Sequence, residues 1–226
     1  MKKSTALVLT VCDHNLIDRF GVQWVDTGYT TAIESQKKWL YGWLYGSGSW
    51  FFDEYDMHGV DAKNLIDYLN DKNNKWLVLE INLDEIIESD KICKFKSAKV
   101  IFIGNKKSAT DYLIAKEPNC NKNTVIGLTV KSEADVVVVG DFGNAIAEGV
   151  AIASTCSSAN TGFSGISVVR YSGKAISDDN GISFVRSGLA KSEKQGIAVV
   201  ENGLAETSSS GISATRKGIS LSGNFG

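Results

Sequence analysis

GISFVRSGLAKSEKQ (residues 181–195), GIAVVENGLAETSSS (196–210) and GISATRKGISLSGNF (211–225) are three consecutive blocks of 15 residues, laid end to end without a gap. Residues 165–180, GISVVRYSGKAISDDN, repeat the block with one extra residue, and residues 149–164 and 134–148 follow it more loosely. Self-similarity at a fixed short period is the signature of a stacked repeat. Each block divides again, because Gly165, Gly173, Gly181, Gly188, Gly196, Gly203, Gly211 and Gly218 recur every seven or eight residues. A half-block of that length is too short for a helix and its connections. It does hold a short strand and a glycine corner, since glycine accepts a positive φ without steric cost.

The spacing therefore predicts a two-sided β-solenoid of about six 15–16-residue coils, about 30 Å long at the inter-strand spacing of ~4.8 Å. Ile166, Ile182, Ile197 and Ile212 are expected to stack as one ladder and Leu189, Leu204 and Ile219 as the opposite one. The small residues Ser167, Ser183, Ala198 and Ser213 suit a thin, closely stacked column. A flexible Gly/Ser linker would not keep an apolar residue in register in this way.

Upstream of residue 134 the composition is different. All five Trp and the single Pro lie there, whereas 14 of the 22 Gly lie after it. The chain is accordingly divided into an α+β capping domain, residues 1–133, and a β-solenoid repeat domain, residues 134–226. Within the first part, residues 5–12, 21–25, 76–82 and 99–103 have the apolar and β-branched density of strands. Asp61 followed by Leu65, Ile66 and Leu69 reads as a capped amphipathic helix, with a second short helix around residues 83–88.

Composition also excludes several roles. The chain has 226 residues, 43% of them hydrophobic, enough to bury a core, and its 24 Lys plus Arg against 26 Asp plus Glu leave a net charge of −2. With no basic stripe, nucleic acid is not an expected partner. No run approaches the ~20 apolar residues of a transmembrane helix. The run Ala6 to Cys12 is too short for a signal peptide and is followed at once by Asp13 and His14, so a cytoplasmic protein is expected. Cys12, Cys93, Cys120 and Cys156 are scattered, with only two His to assist them, which argues for reduced thiols and against a structural zinc site. No metal and no cofactor are expected.

Candidate binding residues come from two patterns. The first is the tandem Trp39-Leu40-Tyr41-Gly42, Trp43-Leu44-Tyr45-Gly46, continuing to Trp50. Large flat side chains bury much area at small entropic cost, so Trp39, Tyr41, Trp43, Tyr45 and Trp50 are candidate partner contacts. The second is the solenoid column Arg170, Arg186, Glu201, Arg216, whose guanidinium forks suit a protein surface. Catalytic residues are not indicated: the chain lacks G-x-S-x-G, H-E-x-x-H and P-loop patterns, and His58 beside Asp53, Glu54 and Asp56 is the only acid–base grouping of note. Among solenoid functions, calcium rolls would need repeated G-G-x-G-x-D. Ice-binding solenoids are expected to carry a Thr-x-Thr array, and no Thr-x-Thr occurs in this chain.

Trp76-Leu77-Val78-Leu79-Glu80-Ile81, Asp90-Lys91-Ile92-Cys93 and Ser97 to Gly104, followed by the repeats, resemble a phage and bacterial α+β domain of unknown function that precedes short Gly/Ala/Ser repeats. That family's Gly-Phe-His stretch would fall near residues 48–52, where this chain has no His. The resemblance implies a layout and a microbial or viral source, and no reaction. The expectation is thus a non-enzymatic protein-binding module, most concretely an immunity-type or inhibitor protein that neutralises a protein partner through a rigid solenoid surface. A phage-type assembly component that forms homo-oligomers through the solenoid, or an enzyme with its site near His58, are the alternatives.

Overall fold

The computed structural model describes residues 5–31, 39–46, 67–88, 93–133 and 135–223, which form two compact units, Met1–Ile126 and Gly127–Gly226. The first contains seven strands: β1 (Thr5–Cys12), β2 (Gly28–Thr31), β3 (Leu40–Leu44), β4 (Lys75–Asn82), β5 (Ile87–Glu88), β6 (Cys93–Phe95) and β7 (Ser97–Gly104). They make one antiparallel sheet in the order β2-β7-β4-β1-β3-β6-β5. β1 is central, and Ala6 to Cys12 are buried on both faces, which is why its sequence ALVLTVC lacks alternation. On one face Val8, Leu40, Leu77, Leu79, Ile81 and Phe95 form the core with the fully buried Trp24. The helix Lys106–Lys116 packs on β4, β7 and β1, burying Ala109 and Leu113.

This unit corrects part of the sequence reading. It is mainly β, with few helical residues among those described, so an α+β domain is the wrong emphasis. Residues 21–25 form no strand: Asp18 gathers the loop instead, its carboxylate accepting from the backbone N–H of Phe20 and Val22 and from the Trp24 indole. The expected helix at residues 83–88 is a single 3-10 turn, Leu83–Glu85, followed by β5. Of the helix expected from Asp61, only residues 67–70 are described, and they are helical.

The second unit is a parallel β-solenoid of about six turns. It starts with β8 (Thr129–Lys131), β9 (Val136–Val138), β10 (Asn144–Ala147), β11 (Val150–Ala153) and β12 (Ser157–Thr161). From β13 (Ile166–Ser177) through β14 (Ile182–Ser192), β15 (Ile197–Thr207) and β16 (Ile212–Leu221), each coil is one long bent strand serving both faces. The expected ladders are present residue for residue. Ile166 pairs with Ile182, Ile182 with Ile197 and Ile197 with Ile212, and Leu189 pairs with Leu204 and Leu204 with Ile219.

What lies between the faces is small. Val169, Val185 and Val200 and the column Ala175, Ala190 and Ala205 point inward, along with Ser167, Ser183, Ser177 and Ser192, all four of which are fully buried. Two sheets this close leave no room for Ile or Leu, so the large apolar ladders stand outside. These four serine hydroxyls are satisfied within the stack: Ser177 Oγ lies 2.9 Å from both Ser183 Oγ and Ser192 Oγ, and Ser183 donates to the Lys191 carbonyl at 2.6 Å. Satisfied polar groups of this kind make a polar core tolerable.

The two corners of each coil use different chemistry. At one, a non-glycine residue takes the left-handed conformation just before a Gly: Ser164, Asn180, Gln195 and Ser210 have φ between 56° and 60°. At the other stand Gly173, Gly188, Gly203 and Gly218, with φ between 129° and 142°. There each glycine lies directly on the backbone of the coil beneath, so that a Cβ on Gly203 would come within 2.1 Å of the Gly188 carbonyl oxygen.

Candidate functional site

The aromatic candidates separate on the structure. Trp43, on β3, is buried in the first unit's interior and stacks on Trp76 with ring centroids 6.1 Å apart. Tyr41, two residues earlier on the same strand, is half-buried, 4.4 Å from the Phe20 ring and 5.8 Å from the Lys94 ammonium. Tyr45 turns the chain at φ 54°, Trp39 is half-buried just before β3, and Trp50 lies outside the described residues, as does His58 with its acidic neighbours. Tyr41 and Trp43 line a narrow apolar slot with Arg19, Phe20 and Tyr68. Burial holds the Arg19 guanidinium below its usual value and raises the Tyr68 phenol, whose hydroxyl donates to the Val11 carbonyl at 3.0 Å.

All four cysteines are free thiols, Cys12 and Cys93 buried and Cys120 and Cys156 half-buried. Cys12 is pushed up to about 12, first by burial and then by the carboxylates of Asp13 and Asp18, and Cys120 to about 11 by burial and Glu117. At about pH 8 the thiolate population of Cys12 is then roughly a thousandfold below that of an exposed thiol. Iodoacetamide labelling followed by mass spectrometry is expected to spare Cys12 in the native chain and to modify it only in guanidinium. Native labelling at the rate of the unfolded chain would contradict this environment.

The arginine column is occupied from within. Glu201 meets Arg186 at 3.3 Å on one side and Arg216 at 3.1 Å on the other, and Arg170 lies 5.3 Å from the Tyr171 ring. Exposed pairs of this type contribute about 0–1 kcal/mol each. Their main effect is to hold the long side chains along one border of the sheet.

Next to that border lies the most regular surface of the molecule, which sequence reasoning traced as a ladder without recognising its direction. On the sheet made by β9, β11 and the first halves of β13 to β16, one outward rank is Val136, Val150, Ile166, Ile182, Ile197 and Ile212. Two residues further along each strand, the second rank is Val138, Ile152, Val168, Phe184, Val199 and Ala214. All twelve are apolar, all are exposed or half-exposed, and ten are β-branched. The opposite sheet alternates Leu189, Leu204 and Ile219 with Lys174, Lys191 and Glu206 on its outer surface. A contiguous apolar patch bordered by charge marks a contact surface.

No family model matches the chain, and no solved structure matches it. Among curated proteins, a protein of Pseudomonas fluorescens is 29% identical over 146 residues, covering 59% of this chain and 11% of that protein. One of Pseudomonas syringae pv. syringae is 27% identical over 136 residues, covering 57% of this chain and 10% of its own length. Another, of Pantoea ananas, is 28% identical over 121 residues. All three are ice nucleation proteins. This chain spans about a tenth of the length of these relatives. The likeness overturns the expectation of an immunity-type or inhibitor protein, and it favours neither the phage-type assembly component nor an enzyme near His58. The expectation of a non-enzymatic protein is borne out by it, since these relatives are named for ice nucleation and not for a chemical reaction.

Proposed function

We propose that this protein is a non-enzymatic β-solenoid repeat protein that acts on water and ice. The observation that carries the reading is the parallel register of β9, β11 and the first halves of β13 to β16, which stacks Val136, Val150, Ile166, Ile182, Ile197 and Ile212 at one fixed interval. Ordered water over such a surface would inherit the surface's period, and the likeness to proteins named for ice nucleation supports ice as the ordered phase. A template holds an ice embryo about as large as itself. Six coils at ~4.8 Å make a short template, so the expected activity is modest: nucleation at deep supercooling, or adsorption to existing crystals. The resemblance of residues 76–104 to a phage and bacterial domain supports a microbial or viral source.

The test is a droplet-freezing assay on the full chain, together with microscopy of single ice crystals grown in its presence. Droplets freezing above the buffer control, or crystals becoming faceted, support the reading. Freezing at the buffer temperature with unshaped, disc-like crystals overturns it.

A further inference from the structure

The charges and ladders of the two solenoid faces differ enough to assign the contact surface. Resting on the reading just given, we propose that ice is held by the apolar face, through its two ranks of β-branched side chains, in place of a threonine array.

Three observations converge on that face. Its side chains repeat in two directions, at ~4.8 Å from coil to coil and at roughly 6.6–6.8 Å from one rank to the next along a strand. Ile182, Ile197, Val168 and Val199 are stiff at χ1, so their methyl groups hold fixed positions at little entropic cost. A methyl surface offers no hydrogen bonds, so water above it bonds to other water. The opposite face fails on the same criteria. Lys174, Lys191 and Glu206 interrupt its rows, and each charged head orders water around itself.

The border contributes as well. Glu201 draws Arg186 and Arg216 into ion pairs along the edge, so these long side chains are held beside the ranks. One residue departs from the pattern: Phe184, 40% exposed, puts a planar ring where its neighbours Val168 and Val199 put branched methyls.

The test compares Ile182→Lys on the apolar face, Leu189→Lys on the opposite face and Phe184→Val, each in the full chain, with far-UV circular dichroism as the check on folding. Crystal shaping or freezing-temperature elevation is expected to fall at least tenfold in Ile182→Lys, to stay unchanged in Leu189→Lys and to rise in Phe184→Val. Activity lost in Leu189→Lys and kept in Ile182→Lys overturns the assignment while leaving the ice reading in place. Sedimentation of the same samples covers the other occupant of an apolar face. A dimer that Ile182→Lys converts to monomer, with ice activity unaltered, would mean that the face is an interface between copies, which also overturns the assignment. An inactive but folded wild-type chain overturns the ice reading itself, and this assignment with it.

Discussion

Gly203→Ala is expected to destabilise the solenoid strongly while leaving the first unit's stability unchanged. Gly203 has φ 137°, and its missing Cβ would stand 2.1 Å from the carbonyl oxygen and 3.0 Å from the amide nitrogen of Gly188. Backbone strain of this kind alone costs of order 1–3 kcal/mol. The clash adds to it, because the obstructing atom is backbone in the neighbouring coil and cannot swing aside. A loss of about 3 kcal/mol or more is expected, a large fraction of a domain's margin. The matched control is Gly162→Ala, where the nearest atom is the end of the Glu148 side chain at 3.8 Å, and the expected change is within about 0.5 kcal/mol. All five Trp lie before residue 134, so urea unfolding followed by fluorescence reports the first unit and circular dichroism reports both. Gly203→Ala should lower the dichroism midpoint and leave the fluorescence midpoint in place. Equal midpoints for Gly203→Ala and Gly162→Ala would refute the close backbone approach.

Trp76→Ala is expected to do the reverse. Trp76 is 1% exposed on β4, paired with Val11 of β1 and Gly104 of β7, with its indole against Trp43 and the Lys106 ammonium 5.6 Å above the ring. Truncating a buried Trp costs about 3–5 kcal/mol, from lost transfer energy and from the cavity left behind. The fluorescence transition should shift to much lower urea, and the solenoid's share of the dichroism should persist. A fluorescence midpoint within error of the wild type would show that the indole is not a packed core element.

The solenoid was legible because its period is written in Gly188, Gly203 and Gly218 and in Ile182, Ile197 and Ile212, and a period fixes a stack. Which way those isoleucines point was not legible. Large apolar residues ordinarily face inward. Only the closeness of the two sheets, which the sequence states indirectly through Ser183, Ala190 and Ser192, reverses the rule. The helix Lys106–Lys116 was missed because KKSATDYLIAK has no apolar stripe: Ala109, Thr110 and Leu113 are its only buried residues. A signal was there in Asn105, whose side chain caps the helix by accepting from the Ser108 N–H. Residues 21–25 misled in the opposite sense, since their β-branched density is organised by the carboxylate of Asp18 and not by a neighbouring strand. That Trp43 is buried and Tyr41 only half-buried was not legible from composition, because two residues on one strand share a face and differ only in what covers them.

The Ala and Ser interior has a thermal consequence. The heat capacity released on unfolding scales with the apolar area exposed and is offset by polar area, and a column of Ala175, Ala190 and Ala205 beside buried hydroxyls supplies little of the first and some of the second. A small heat-capacity change flattens the curve of stability against temperature. Proteins held chiefly by large apolar cores lose driving force on cooling, whereas a stack held by backbone ladders and hydroxyl bonds loses less. This interior therefore suits the solenoid to remaining folded in supercooled water.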